Sequence, residues 1–139
     1  MTQIDVELYL RSLDNVQQSE AYGYQFFFVG EDHRMPFVTI ANSDQDFDNA
    51  SNLSRESVFR VNIGISKPTF DALIAEPDPR KVDLTELNLF LPHPDYAKQY
   101  FVCILSPTGG NEMATKRLIL EAHGIAVTRL ERVRKQASS

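Results

Sequence analysis

The chain has 139 residues, of which 42% are hydrophobic and 24% charged, the composition of one ordinary globular domain. Its 14 Lys and Arg against 19 Asp and Glu leave a net charge of −5, which argues against a dedicated nucleic-acid binder, because such proteins pair basic side chains with phosphates. The single cysteine, Cys103, excludes an internal disulfide, and without a signal-like leader or an apolar run near ~20 residues we expect a cytoplasmic, non-membrane protein.

The first forty residues predict a helix followed by a β-hairpin. Residues 3–14 repeat apolar side chains at helical spacing, with Ile4 and Leu8 on one stripe. Residues 24–29, rich in aromatic side chains, and residues 36–40 read as two strands joined by a short polar connection. An apolar strand at an exposed sheet edge can pair with a strand of a second chain. We therefore expect either a monomer or a homodimer formed through residues 24–29.

The segment 58–65 predicts a strand with one core face and one polar face. Apolar and polar residues alternate with a period of two, as in a half-buried strand. Arg60 and Asn62 project from the polar face, opposite the core-facing set of Phe59, Val61, Ile63 and Ile65.

Two short helices are predicted next. Ser66 is a helix cap with Pro68 in the first turn, and Pro77 ends that helix. Asp83 with Glu86 three residues later resembles a capping box and predicts a second short helix through residue 90.

A central strand and a C-terminal helix complete the chain. Residues 100–105 form a continuous apolar run that reads as a central strand, with Cys103 as a small core residue. Asn111 then caps a helix containing Gly124, which either stays inside one long helix or ends it, leaving residues 125–130 as an extra edge strand.

This order of elements predicts a single α+β domain over residues 1–139. A two-layer arrangement follows, in which a mainly antiparallel sheet carries its helices on one face. We expect the last few residues to be disordered.

Several stretches resemble a known family. The segments ASNL, FRVNIGIS and HPDYAKQ, within a match over residues 22–107, are similar to the bacterial family of unknown function DUF6194. That family is in turn similar, in its order of elements, to the MmcQ/YjbR group, which implies a CyaY-like fold. MmcQ/YjbR proteins have been considered as DNA binders, and the acidic balance of this chain argues against that role. No catalytic residue comes with the resemblance, because the family has no established activity.

Asp44, Asp46 and Asp48 stand at alternate positions, as in a calcium-binding loop. An EF-hand counted from Asp44 needs glycine and glutamate where this chain has Asn49 and Arg55, so that motif is excluded. Two interpretations remain, a looser magnesium or calcium site and a solvated acidic loop.

Arg60, Asn62 and His93 are the strongest site residues, with Asn52 and Arg55 of the 43–57 loop at the rim. Arg60 either opens onto a binding surface, where it offers a planar fork to a carboxylate or phosphate, or pairs with an acid from the 44–48 segment. His93, held between two prolines, is either a site residue or a buried imidazole bonded to a nearby carbonyl.

No nucleophile, base and orienting residue stand together in the sequence, so no catalytic residue and no cofactor is assigned. The leading hypothesis is a non-enzymatic domain that binds a small anionic or polar ligand or a protein partner. The alternatives are an enzyme using His93 as general base with an acid from the 44–48 segment, and a DNA-binding protein of the MmcQ/YjbR type.

Overall fold

A computed structural model describes residues 1–138 as three α-helices and a six-stranded sheet; Ser139, part of the end expected to be disordered, lies outside the described residues. The elements in chain order are α1 (Gln3–Ser12), β1 (Val16–Ala21), β2 (Tyr24–Val29), β3 (Val38–Ala41), β4 (Arg60–Gly64), α2 (Lys67–Leu73), β5 (Leu91–Pro92), β6 (Phe101–Leu105) and α3 (Gly110–Ser138). Every strand pairing is antiparallel, in the order β1-β2-β3-β4-β6-β5. The predicted α+β class with an antiparallel sheet is confirmed.

The helices lie against one face of the sheet because alternate strand residues supply an apolar surface there. Val61 and Ile63 of β4 are fully buried in the same cluster as side chains from α1, α2 and α3. Neighbouring strands contribute to this cluster with the same period of two, namely Phe27, Val29, Val38, Ile40, Val102 and Ile104. The intervening residues of these strands therefore face the other side of the sheet, which none of the three described α-helices covers.

The sequence did not predict the strand β1. This strand pairs with β2 along the side at which an exposed sheet edge was considered. Its sequence, VQQSEA, is polar and mostly exposed, so it lacks the apolar alternation by which strands are recognised. A two-residue turn, Tyr22–Gly23, joins it to β2, and the two strands pair along their whole length. Because β2 is bonded to β1 on one side and β3 on the other, residues 24–29 are not a free edge for pairing with a second chain. Whether the protein is a monomer or a homodimer stays a prediction.

The buried face of α1 differs from the predicted stripe. Ile4 and Leu8 are 65% and 58% exposed, whereas Val6 and Leu10 are fully buried. Apolar residues lie on more than one side of this helix, so periodicity alone does not select the side that packs on the sheet.

The helix predicted from residue 83 does not form. The Asp83 carboxylate accepts the Thr85 backbone N–H at 3.0 Å instead of taking part in a capping box with Glu86. Asn88 has a left-handed φ of +57°, and its backbone N–H donates to the Leu105 carbonyl at 2.7 Å. The segment is therefore held in turns alongside β6, where a helix cannot make the same bond.

The helix α3 continues through Gly124, which answers the alternative left open by the sequence. It spans 29 residues, and Gly124 lies on its exposed side. Residues 125–130 belong to the helix and add Ala126 and Leu130 to the core. The edge-strand interpretation is wrong.

Candidate functional site

A cavity of about 370 Å³ lies on the face of the sheet opposite the helices. Its floor is the polar side of the central strands, where Thr39 of β3 is paired directly with Asn62 of β4. Arg60 and His93 also line this cavity, so the structure brings Arg60, Asn62 and His93 together.

Arg60 is neutralised by an acid from the loop, one of the two alternatives that the sequence left open. Its side chain has no exposed surface. One terminal nitrogen, Nη1, donates to Asp48 Oδ1 at 3.1 Å and to Ser51 Oγ at 2.9 Å, and Nη2 donates to Asp48 Oδ2. The same carboxylate oxygen accepts the hydroxyl of Tyr24. The loop over residues 42–57 is thereby tied to β4 and β2 by one buried polar cluster.

The protonation states within this cluster follow from its hydrogen bonds. Burial raises the pKa of Asp48, but hydrogen bonds from Arg60 and Tyr24 and the guanidinium charge hold that pKa below its ordinary value. Burial and the hydrogen bond to Asp48 raise the pKa of the Tyr24 phenol, which stays protonated and donates. The Asp48 carboxylate and the Arg60 guanidinium are therefore both ionised, and their opposite charges cancel.

Two buried polar atoms beside the cavity have no hydrogen-bond partner among the described residues. Asn62 is 1% exposed, and its Nδ2 donates to Thr39 Oγ1 at 2.8 Å while its Oδ1 accepts from nothing. Arg60 Nε is likewise unpartnered. Burying a polar atom without a hydrogen-bond partner lowers the stability of the fold by about 1–3 kcal/mol. Asn62 Oδ1 and Arg60 Nε can therefore still form hydrogen bonds that the described residues do not supply.

His93 is held as a neutral hydrogen-bond donor. Its Nδ1 accepts the backbone N–H groups of Asp95 at 3.0 Å and Tyr96 at 3.1 Å. Burial, and after it the charge of Arg60, lowers the pKa of His93 to about 3. The one ring proton is therefore on Nε2, which makes no hydrogen bond to a described residue. The expectation of a buried imidazole agrees with its 5% exposure, but its partners are amides and not a carbonyl.

Asn52 and Arg55, predicted at the rim, do not line the cavity. Arg55 instead joins two loops, since its guanidinium donates to the carbonyls of Ser51, Asn52 and Thr85 at 2.9–3.1 Å. Asn52 is exposed and has a left-handed φ of +52°. Both residues shape the loop without reaching the cavity.

The three aspartates considered as metal ligands do not converge. Asp44 accepts from the Leu53 backbone N–H at 2.8 Å and the Ser54 hydroxyl at 3.1 Å, Asp46 is exposed, and Asp48 is taken up by Arg60. Within residues 1–138, no group of three or more His, Cys, Asp or Glu side chains is placed to hold a metal ion.

Cys103 lies within β6 and has no exposed surface. Burial raises the pKa of its thiol to about 12, so it stays protonated and does not act as a nucleophile. The predicted role as a small core residue is confirmed.

Six of the fifteen residues that line the cavity are aromatic, a feature that the sequence did not predict. They come from four separate segments and comprise Tyr22, Tyr24, Phe26, Phe47, Tyr96 and Phe101. The alternation of Tyr24, Phe26 and Phe28 along β2 was a usable signal, because alternate residues of a strand share a face. The contributions of Tyr22, Phe47 and Tyr96 carried no such signal, since they depend on the paths of loops.

The position of Phe101 depends on a glycine in the neighbouring strand. Gly64 is paired with Phe101, and the ring lies across the glycine so closely that a Cβ there would be 2.7 Å from Cζ. This glycine therefore makes room for an aromatic side chain beside the floor of the cavity.

These observations define a small α+β protein with α-helices on one sheet face and, on the other, a cavity of about 370 Å³ lined in part by aromatic side chains. The model of DUF6194, a family of unknown function, matches residues 1–136, and the chain belongs to this family. No curated protein and no solved structure matches the chain. Over residues 1–138, none of the helices has both the length and the apolar character needed to cross a membrane.

Proposed function

We propose that this protein binds a small molecule in the cavity on the outer face of its sheet and does not transform it chemically. The observation that carries the proposal is that Asn62 lines the cavity while its buried Oδ1 has no hydrogen-bond partner among the described residues. Cavities of roughly 300–1,000 Å³ with apolar walls and a few polar groups are typical of small-molecule sites. At about 370 Å³ the cavity suits a molecule of one or two rings.

Catalysis by His93 is the weaker alternative. A general base needs a free lone pair and a pKa near the working pH. Both conditions fail for this imidazole, because Nδ1 already accepts two backbone N–H groups and the pKa of His93 is lowered to about 3. Asp48 is equally unsuitable as the paired acid, since its carboxylate is held by Arg60 and Tyr24.

Four predictions from the sequence stay predictions. These are the alternative of DNA binding, which the sequence disfavoured, an MmcQ/YjbR-like topology, a bacterial origin and a cytoplasmic location. The net charge of −5 continues to argue against the first of them. A gel-shift titration in about 150 mM salt tests it, and retained binding to a DNA duplex would favour it over the small-molecule proposal.

A ligand screen with a blocked variant tests the proposed function. Amide chemical shifts of the ¹⁵N-labelled protein are followed while a library of small metabolites is added. Met35 lines the cavity and is 38% exposed, so Met35→Trp fills the site from its mouth. Met113, 55% exposed on α3, lies outside the cavity lining, and Met113→Trp is the matched control.

We expect at least one compound to shift resonances of Asn62, His93 and Phe101 together. Binding should weaken at least tenfold in Met35→Trp and stay unchanged in Met113→Trp. The proposal fails if no library compound moves the resonances of these residues at millimolar concentration, or if both tryptophan variants bind equally well.

A further inference from the structure

We propose, building on the proposed small-molecule site, that its ligand is an uncharged, flat molecule carrying a carboxamide or ring-lactam group. Such a group presents an N–H donor and a carbonyl acceptor side by side. Three features of the cavity lead to this class, namely its charge balance, the placement of its aromatic walls and the polar atoms left on its lining.

The charges on the lining cancel. Two cations and two anions contribute to it, and they are Arg34, Arg60, Asp48 and Asp95. The buried cation, Arg60, already has its terminal nitrogens bonded to Asp48 and Ser51. The other, Arg34, is exposed and is paired with Asp32 at 2.9 Å. Arg60 keeps one N–H, at Nε, without a described partner, but its charge is already balanced by Asp48. An anion entering the cavity would lose its water without gaining an unpaired charge, which disfavours the carboxylate or phosphate suggested by Arg60 in the sequence.

The aromatic walls stand on either side of a floor of smaller side chains. One wall rises from β2 and the 42–57 loop, where the rings of Tyr24 and Phe47 are 6.0 Å apart between centroids. The other rises from β6 and the segment after β5, where Tyr96 and Phe101 are 6.2 Å apart. The strand order places β2 and β6 three strands from one another, about 14 Å between backbones. A flat ring system lying over Thr39 and Asn62 of β3 and β4 fits between these walls.

The unpartnered polar atoms specify the hydrogen bonds of the ligand. Asn62 Oδ1 requires a donor, and an N–H or O–H on the ligand supplies one. His93 Nε2–H is a donor without a described partner, and it requires an acceptor. A carboxamide or lactam carries the required donor and the required acceptor on one planar group, whereas a carboxylate offers Asn62 no donor.

Matched ligands separate this class from its charged and donor-free relatives. The neutral probes are nicotinamide, benzamide and uracil. Nicotinate and benzoate replace the amide by a carboxylate, whereas orotate keeps the ring N–H groups of uracil and adds a carboxylate, so it tests the charge alone. In N,N-dimethylnicotinamide the carbonyl is kept and the N–H donor is removed. Dissociation constants are measured at pH 7 by titration of the ¹⁵N-labelled protein, with the Asn62 side-chain amide resonances as a direct reporter.

We expect at least one neutral probe to bind, at least tenfold more tightly than its carboxylate, and to shift the Asn62 side-chain resonances. Nicotinamide should likewise bind at least tenfold more tightly than its dimethyl derivative. Asn62→Leu should weaken binding of the neutral probe about tenfold, while Asn49→Leu, which changes an exposed amide outside the lining, should not. The ligand-side comparisons need no variant and stand even if Asn62→Leu fails to fold.

Three results would overturn the ligand class and leave the small-molecule site intact. The first is equal or tighter binding of the carboxylates, and the second is undiminished binding of dimethylnicotinamide. The third is a library compound occupying the cavity while all three neutral probes fail to bind. Absence of any occupant from the whole library is a different result, because it removes the proposed function itself.

Discussion

Arg60 and Asp48 form a buried ion pair. The sequence left this pairing as one of two alternatives, the other being an arginine open to a ligand. Burial of an arginine requires a partner, and the acidic 44–48 segment was close enough along the chain to provide it. Which of three aspartates would serve could not be read from their spacing, because the path of the loop decides it. Ser51, which also accepts from Arg60 at 2.9 Å, carried no signal that distinguished it from the other serines of the loop.

Replacing Asp48 by asparagine should strongly destabilise the fold. The change leaves the Arg60 charge buried without a counter-charge, and breaking a buried pair in this way costs about 3 kcal/mol or more. Urea unfolding at pH 7 measures the free energy of unfolding. The neighbouring Asp46→Asn, at an exposed position, should change it by less than about 0.5 kcal/mol. Similar stabilities of the two variants would contradict the role of the pair.

His93 should make the fold sensitive to mild acid. Its pKa is about 3 in the folded state against 6.5 for an ordinary imidazole, so the unfolded chain takes up a proton first as the pH falls. Above pH 6.5 neutral His93 makes its full contribution to the free energy of unfolding. Between pH 6.5 and pH 3 that contribution falls by about 1.4 kcal/mol for each pH unit.

The variant His93→Asn isolates this effect, because the Asn side-chain oxygen can replace Nδ1 as acceptor and does not titrate. Unfolding free energies measured from pH 7 to pH 4 should fall less steeply in His93→Asn than in the parent. His33→Asn, at an exposed imidazole, should keep the parent slope. Parallel pH profiles for the parent and His93→Asn would show that another group carries the acid sensitivity.

At the scale of elements, α3 contains a glycine for which the structure offers no use. Nothing lies within 4 Å of a Cβ built at Gly124, and its backbone is helical. Gly124→Ala should therefore stabilise the protein by about 0.5–1 kcal/mol, as expected for glycine in an exposed helix interior. Thermal and urea unfolding both report the change.

Gly109 provides the matched contrast for Gly124→Ala. It too has open space around it, but its φ is +58°, which L side chains rarely adopt. Gly109→Ala should destabilise the fold by about 1 kcal/mol. A loss of stability in Gly124→Ala would contradict a continuous α3 at that point.

The packing of Phe101 over Gly64 should couple these two residues. Gly64→Ala forces the ring away from a Cβ only 2.7 Å from it, and overpacking of this kind costs about 1–3 kcal/mol. In a Phe101→Leu background the added methyl has more room and should cost less. A double-mutant cycle measures the difference, and additive effects would contradict the contact.

For the molecule as a whole, the sequence predicted side-chain orientation correctly in strands with one buried face and one polar face. The alternation in residues 58–65 correctly placed Val61 and Ile63 in the core and Arg60 and Asn62 on the opposite face. The strand β1 escaped prediction because it lies at an edge and buries little. The aromatic walls escaped because they form only when β2 and β6 are set on either side of β3 and β4, a relation that no local pattern contains.

Occupancy of the cavity should raise the stability of the entire domain. The strands β4 and β6 carry the core on one face and the cavity on the other, so a ligand binds only the assembled sheet. At a free concentration of one hundred times its Kd, a ligand stabilises by about 2.7 kcal/mol. Thermal unfolding with increasing ligand checks this, and an unchanged midpoint despite saturation would contradict binding to the folded sheet.

In the Tyr22–Gly23 turn, a strained backbone holds an aromatic side chain on the cavity lining. Tyr22 has a φ of +55° in a two-residue hairpin, where asparagine or glycine relaxes the backbone and a bulky ring does not. Tyr22 is 78% exposed, lines the cavity and meets Phe47 edge-on at 6.4 Å between ring centroids. A change of this turn to Asn-Gly would relax the backbone and remove one aromatic side chain from the cavity lining, so a more stable hairpin would come at the expense of the proposed binding site.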